Sequence, residues 1–267
     1  SNNTNLLNQL IKIKSVTNKS AVNLTIKTIL VLDGTNGSNM INQVEIFGKT
    51  LDVMKLKYAQ RLDSLGTETA FSVSKDASIY ASQGNCVYPF HLGDIDIPTP
   101  SNIMDATLKA MKDGKTGYIS AAGLPELRNV LADVVGRERG LNIQAENVVI
   151  QPGGKPVIPK FIQALMNPKD GVLYPNPGYP IYESQIEFHG GQAIPYGFIP
   201  SINGFQIDRK GIEHVINKNI RLLIYNNYQN PMGAESNMEE MQWLANFANE
   251  HDLFILSDEA YFNIRYK

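Results

Sequence analysis

An acid and a phenol lie three positions apart near the end of the chain, at Asp258 and Tyr261. The apolar run at residues 253–256 precedes them directly and is typical of a buried parallel strand. Ligands of open α/β sheets bind beyond the carboxyl ends of the strands. We therefore expect Asp258 and Tyr261 to face a bound small molecule, whereas Glu259 points to the opposite side of the strand and is interpreted as structural.

A glycine pair followed by a lysine, Gly153-Gly154-Lys155, offers a second chemical group. The apolar triplet Val148-Val149-Ile150 before it predicts a short buried strand, and residues 156–166 after it predict a helix. Backbone N–H groups at a helix N-terminus favour an anion, and glycine lets a phosphate approach the backbone. A plain strand-to-helix turn with a tolerated lysine explains the same residues. The loop lacks the first glycine and the final Ser or Thr of a Walker A motif.

Several further motifs follow one another in a recognisable order from Arg61 to the end of the chain. They are the segment Leu65–Phe71, Leu92–Asp96, Thr116–Arg128, the elbow Asn176–Tyr182 and the loop Asn230-Pro231-Met232-Gly233. With the glycine loop and Asp258, this set resembles the class I/II aminotransferases, the pyridoxal-phosphate (PLP) enzymes of fold type I. The resemblance covers roughly three quarters of the chain.

The resemblance implies how three of these residues meet the cofactor. Asp258 faces the pyridine nitrogen and keeps it protonated, so that the ring can accept an electron pair. Tyr261 and the amide of Asn230 donate to the phenolate oxygen O3′. Taken alone, Tyr261 is better explained as a half-buried aromatic side chain at the sheet edge. Its interpretation as a cofactor ligand depends on the other two residues.

The remaining candidate residues also take their roles from the resemblance. Gly153, Gly154 and Lys155 bind the cofactor phosphate, and Lys155 is not the Schiff-base lysine. Tyr179 stacks on the cofactor ring, with Tyr182 as the alternative. Tyr118 reaches the phosphate of a neighbouring subunit, which implies a homodimer, although a surface tyrosine before a helix has the same sequence. Gly93 and Asn230 bind the substrate; Asp94 and Asp96 are interpreted as turn residues, and no metal site is expected.

The family's Schiff-base lysine follows the aspartate by a few tens of residues, and its substrate-binding arginine lies in the C-terminal domain. Lys267 is too close to Asp258 along the chain to serve as that lysine. The chain as given is therefore expected to be an N-terminal portion, inactive by itself, whose catalytic residues are unknown. The unpaired last strand of such a fragment is expected to favour aggregation.

These residues predict a PLP-dependent aminotransferase that moves an amino group from an amino acid to a 2-oxo acid. A PLP-dependent lyase of the same fold has the same cofactor residues and stays an alternative. A non-catalytic PLP-binding or dimerising protein is the rival from another class. A nucleotide-binding α/β domain is disfavoured, because no Gly-x-Gly-x-x-Gly fingerprint follows a strand.

The helices and strands that position these groups are predicted from helical and apolar patterns that alternate along the sequence. Strands are predicted at residues 171–174, 220–225 and 253–256, and helices at 123–140, 156–166, 181–189 and 236–249. In the last helix, Ser236 and Glu239 predict a capping box, and Met241, Leu244 and Ala248 are expected to face inward. The fold class is therefore α/β, with a mostly parallel sheet covered by helices on both faces. The resemblance identifies it as an incomplete fold type I large domain (101–267) with the N-terminal part of the small domain (61–100), after an extension (1–60).

The amino-acid composition of the chain limits the classes of partner that it is expected to bind. With 43% hydrophobic and 19% charged residues, the chain is predicted to be globular, and its net charge of −2 gives no reason to expect nucleic acid or anionic lipid. No apolar stretch is long enough to span a bilayer. The single cysteine excludes an intramolecular disulfide and fits a reducing, cytoplasmic setting. The first 32 residues carry lysines but no acid, so organellar import stays open.

Overall fold

In the computed structural model, residues 59–65, 69–90, 93, 97–202 and 204–264 are described. The chain divides into two compact units, of which one is Glu68–Phe161 and the other holds the rest. The predictions for the N-terminal extension, for Asp94 and Asp96 and for Lys267 lie outside the described residues. The domain boundaries at 60 and 100 stay predictions.

The unit Glu68–Phe161 is built from helices. They are α1 (Thr69–Ser82), α2 (Ser101–Lys112), α3 (Pro125–Arg139), a 3-10 turn (Ala145–Asn147) and the start of α4 (Val157–Leu165). Helix α3 confirms its sequence signals, because Pro125 stands in its first turn and Gly140 ends it in the left-handed region at φ 65°. Helix α4 likewise agrees with its prediction to within one residue at each end.

The predicted buried strand at residues 148–150 is wrong. The segment has no strand pairing, and Val149 is 59% exposed. The segment is instead held from α3, where Nε of Arg128 donates to the carbonyl of Val148 at 2.8 Å and Nη2 donates to that of Ala145 at 2.7 Å. An apolar triplet is too short to decide between a sheet strand and an extended segment fixed by a side chain.

A four-stranded sheet forms the centre of the other unit, in the order β2-β1-β5-β6, and every neighbouring pair is parallel. Its strands are β1 (Gly171–Pro175), β2 (Gln192–Tyr196), β5 (Ile220–Asn226) and β6 (Phe254–Asp258). An antiparallel hairpin of β3 (Phe198–Ser201) and β4 (Gly204–Ile207) lies between β2 and β5 in sequence. The parallel sheet predicted from the sequence is confirmed.

Helices α5 (Ile181–Phe188), α6 (Arg209–Val215) and α7 (Met238–Glu250) complete this unit. Side chains alternate between the two faces of a strand. On one face, Leu173 and Leu223 belong to a buried cluster with residues of α6 and α7. On the other face Val172 and Leu222 are fully buried as well, and α5 contacts β1 and β2. Both faces of the sheet are therefore covered, as expected.

Helix α7 begins one residue later than the predicted capping box. Asn237 is its N-cap, and its side chain accepts a hydrogen bond from the backbone N–H of Glu240 at 2.8 Å. Leu244 and Ala248 are buried as predicted, but Met241 is 36% exposed and that prediction is wrong. The inward position belongs to Glu240, which is 4% exposed and accepts from the backbone N–H of Ile207 at 2.7 Å. Glu240, whose carboxylate has a hydrogen-bond partner, thus takes the inward position, and Met241 lies at the edge of the buried face of α7.

Strand β6 is parallel to β5, as predicted, but it is not buried. Among the described strands it pairs only with β5, and Phe254 is 47% exposed. All five residues of β1, in contrast, are buried. None of the helices in the described part of the chain has the length and hydrophobicity of a membrane span.

Candidate functional site

The carboxyl ends of the neighbouring strands β1 and β5 lie where the strand order of the sheet changes direction. From β1 the chain continues to the neighbouring strand β2 on one side, and from β5 it continues to β6 on the other. Such a switch point leaves a crevice at the carboxyl ends of the strands, where open α/β sheets bind ligands. The elbow after β1 and the loop after β5 both start at this edge of the sheet.

Asp258 is the last residue of β6, and its carboxylate is half-buried and held from two sides. The hydroxyl of Tyr182 donates to Oδ2 at 2.7 Å, and the backbone N–H of Ala260 donates to Oδ1 at 3.2 Å. The ring of Tyr182 is fully buried. Burial, together with the hydrogen bond to Asp258, raises the pKa of Tyr182 well above its ordinary value, so the phenol stays a donor.

Asn230 and Tyr261 come together at the same edge of the sheet. Nδ2 of Asn230 lies 3.4 Å from the hydroxyl of Tyr261, a long and weak hydrogen bond. Asn230 is half-buried and Tyr261 is 39% exposed, so neither residue belongs to the core. The loop after β5 and the turn after β6 thus place two donors at one location, an arrangement suited to a shared anionic oxygen.

Asn226, at the end of β5, is a buried residue of the site that the sequence reasoning missed. It is 5% exposed and lies opposite Asp258 in the β5–β6 ladder. Its Nδ2 donates to the carbonyl oxygen of Asp258 at 2.9 Å, and its Oδ1 accepts from the backbone N–H of Asn230 at 2.8 Å. One amide group therefore connects the backbones of two predicted cofactor residues.

Gln229, 4% exposed, is a second buried amide that the sequence did not reveal. Its Nε2 donates to the carbonyls of Pro177 at 2.7 Å and of Asn230 at 2.8 Å, and its Oε1 accepts from the backbone N–H of Met232 at 2.8 Å. The loop after β5 is thereby attached to the elbow after β1. An amide that satisfies three backbone groups was not detectable, because the sequence motif alone does not show that Pro177 lies within reach.

The elbow after β1 positions Tyr179. A Cβ atom on Gly178 would lie 2.0 Å from the carbonyl oxygen of Pro175, so this close approach of the chain to itself requires glycine. The half-buried ring of Tyr179 meets that of Tyr182 edge to face, with 5.7 Å between the ring centres. Tyr179 is therefore next to the residue that holds Asp258.

Four predicted residues, Asp258, Tyr261, Asn230 and Tyr179, thus gather at one edge of the sheet. The glycine loop belongs to the other unit and is exposed there, directly before α4. Gly153 has φ 90°, and no atom lies within 4 Å of a Cβ built on Gly153 or Gly154. The space beside the two glycines is therefore open, while the backbone N–H of Gly153 donates to the carbonyl of Gln151 at 2.9 Å.

Tyr118 and Gly93 also lie in the unit Glu68–Phe161. The side chain of Tyr118 is fully exposed and Gly93 is exposed. Their roles stay predictions, as does that of Lys155. In the part of the chain that the structure describes, no three His, Cys, Asp or Glu side chains are grouped as a metal site.

Comparison with known proteins gives one consistent result. The sequence model of the family described as "Aminotransferase class I and II" matches residues 87–267. The aspartate/prephenate aminotransferase of Thermus thermophilus is 31% identical over 209 residues, which are 78% of this chain and 54% of that protein. The chain spans about half the length of the curated relatives it matches.

Solved structures agree with the sequence comparison. The alanine aminotransferase from Pyrococcus furiosus superimposes with a TM-score of 0.75 at 27% identity, over 79% of this chain and 54% of that one. The Thermus thermophilus aspartate aminotransferase with maleate gives a TM-score of 0.75 at 30% identity, over 79% of this chain and 55% of that one. The fold around the site is therefore that of known aminotransferases.

Proposed function

Because the family model covers more than half of it, the chain belongs to the class I and II aminotransferases, and we propose that the whole protein moves an amino group from an amino acid to a 2-oxo acid. The relatives are named for aspartate, prephenate and alanine, so they support the reaction class rather than one substrate. The cofactor of this family is PLP.

The described residues fit this cofactor. A fixed carboxylate suits a cationic ring nitrogen, and the donor pair Asn230 and Tyr261 suits a phenolate oxygen. When bound, PLP supplies an electron sink that accepts the pair released as the Cα–H bond of an amino acid breaks. Asp258 serves this chemistry by holding a proton at the ring nitrogen, and Tyr182 keeps the carboxylate oriented.

The roles of the remaining residues are proposed from the family motifs. Gly153 and Gly154 let the phosphate approach the loop closely, and Lys155 supplies a cation. Tyr179 covers one face of the ring. Gly93 binds the substrate carboxylate together with Asn230.

We also propose a homodimer, in which Tyr118 of one subunit contacts the phosphate of the other. A fully exposed phenol at this position supports the idea, because it is accessible to a second chain. We place the protein in the cytoplasm and in amino-acid metabolism. The bacterial relatives and the single cysteine of the chain, Cys86, support this setting.

The observation that carries the proposal is the Asp258 carboxylate, held by Tyr182 at the sheet edge where Asn230 and Tyr261 meet. To test it, the unchanged protein and the Asp258→Asn variant are each titrated with PLP, and binding is measured by absorbance. We expect the Kd for PLP to rise about 100-fold in the variant, because a charge-assisted contact becomes a neutral one.

The matched control is Asp252→Asn, which removes a carboxylate that is 97% exposed. Asp252 has a positive φ of 53°, which asparagine tolerates, so this control keeps the local backbone. A protein that does not bind PLP, or an Asp258→Asn variant that binds like the control, would contradict the proposed function.

A further inference from the structure

The backbone of Asn230 is held on both sides by buried amide side chains. Its N–H donates to Oδ1 of Asn226 at 2.8 Å, and its carbonyl accepts from Nε2 of Gln229 at 2.8 Å. Asn226 and Gln229 are 5% and 4% exposed. Buried hydrogen bonds of this kind fix a loop, because an unpaired polar group at the same place would be costly.

The other end of the Asn226 amide is attached to β6. Its Nδ2 donates to the carbonyl oxygen of Asp258 at 2.9 Å, and the same carbonyl also accepts from the backbone N–H of Asn227 at 3.3 Å. An amide is planar and short, so its donor and acceptor are at a fixed separation. This one group therefore links the backbones of Asp258 and Asn230 directly.

We propose that Asn226 is a positioning residue for the cofactor site, which holds Asp258 and Asn230 in one fixed relative position. The inference rests on the proposed function, in which these two residues bind different polar groups of the same ring. Only asparagine meets the geometry. Aspartate lacks the donor, alanine lacks both groups, and glutamine adds a methylene to a buried position.

The experiment compares Asn226→Ala and Asn226→Asp with the unchanged protein in two measurements. The first is hydrogen exchange of the Asn230 backbone N–H by NMR without PLP, which reports the hydrogen bond to Asn226 directly. The second is the Kd for PLP. The control is Asn237→Ala, which removes the N-cap of α7 and so destabilises the same unit without a hydrogen bond to either segment.

In Asn226→Ala we expect exchange at Asn230 to accelerate about 10-fold or more and the Kd for PLP to rise about 10-fold, since both hydrogen bonds are lost. In Asn226→Asp the acceptor for the Asn230 N–H remains, so exchange at Asn230 stays within about 2-fold of the rate in the unchanged protein. The Kd for PLP still rises, because the donor to the Asp258 carbonyl is lost. The control lowers the melting temperature but leaves both quantities within about 2-fold.

Unchanged exchange at Asn230 in Asn226→Ala would overturn the inference, and so would a Kd that changes only as much as in Asn237→Ala. A protein without affinity for PLP would instead refute the proposed function. The exchange measurement would then decide by itself whether Asn226 holds the loop.

Discussion

The side chains at this site hold one another in place through hydrogen bonds. Tyr182, the alternative candidate for stacking on the cofactor ring, is fully buried and donates to Asp258. Hydrogen bonds to charged groups contribute about 1.5–3 kcal/mol, more than those between neutral groups. A phenol that touches the carboxylate is therefore expected to affect ligand affinity.

This contact is tested by Tyr182→Phe, which removes only the hydroxyl. We expect the Kd for PLP to rise about 10-fold, because Asp258 loses its shorter hydrogen bond. Tyr196→Phe is the control, since it also deletes a buried hydroxyl, which donates to the carbonyl of Ile224 at 2.9 Å. Equal Kd values for the two variants would show that Tyr182 does not act through Asp258.

Part of the site could be predicted from the sequence. Asp258, Tyr261, Asn230 and Tyr179 were found because each follows a strand or stands in a family motif, and the structure brings these four together. Asn226 and Gln229 were not found, and Tyr182 was named only as an alternative stacking residue, not as the partner of Asp258. Their partners lie up to 76 positions away in sequence, and the register of β5 against β6 decides which groups meet.

At the scale of elements, the hairpin β3–β4 is fastened to helix α7 by a carboxylate. Glu240→Ala would leave the buried N–H of Ile207 without its partner, at a cost of about 1–3 kcal/mol in the free energy of unfolding. Glu239→Ala removes the neighbouring carboxylate, which is 79% exposed and pairs with Arg209. That change should cost less than about 1 kcal/mol. Urea denaturation measures both, and similar losses would refute this role of Glu240.

The elbow after β1 gives a second prediction for an element. Gly178→Ala places a methyl group 2.0 Å from the carbonyl of Pro175, so the elbow must move. We expect a loss of about 1–3 kcal/mol in the free energy of unfolding, the usual cost of overpacking. Gly197→Ala is the control because nothing lies within 4 Å of its Cβ position. If denaturation curves of both variants coincide, the elbow has space that the structure does not show.

Longer periodic patterns predicted elements better than short ones. Helices α3, α4 and α5 and strands β1, β5 and β6 were placed to within about two residues, because apolar spacing and the terminal Pro and Gly agree there. The triplet 148–150 failed because Arg128 satisfies carbonyls that a sheet neighbour would otherwise bind. The inward role of Met241 failed because Glu240 has a buried partner that its sequence position does not reveal.

For the whole molecule, buried phenols predict loss of stability in alkali. Burial raises the pKa of Tyr225 to about 12 and outweighs the Ser236 hydroxyl, which lowers this pKa. Burial also raises the pKa of Tyr196 well above its ordinary value. A raised pKa means that the folded protein binds the proton more tightly than the unfolded chain. The stability from Tyr225 is therefore complete below about pH 10 and lost as the pH approaches 12.

Denaturation with urea at several pH values checks this expectation. The free energy of unfolding should fall above about pH 10, with a slope on the order of 1 kcal/mol per pH unit for each such phenol. Tyr225→Phe should make the decline shallower, whereas Tyr118→Phe, which alters a fully exposed ring, should leave it unchanged. A decline of the same slope in all three proteins would exclude Tyr225 as its source.

The long sequence separations at the sheet edge affect how the protein is made. The hydroxyl of Tyr182 and the carboxylate of Asp258 are 76 positions apart, and Gln229 and Pro177 are 52 apart. The ribosome must therefore release β6 before the carboxylate can be oriented, although β1 and α5 leave it much earlier. A nascent chain that is arrested before β6 has no Asp258, so under the proposed function it cannot bind the cofactor ring through this carboxylate, and cofactor loading cannot precede the synthesis of β6.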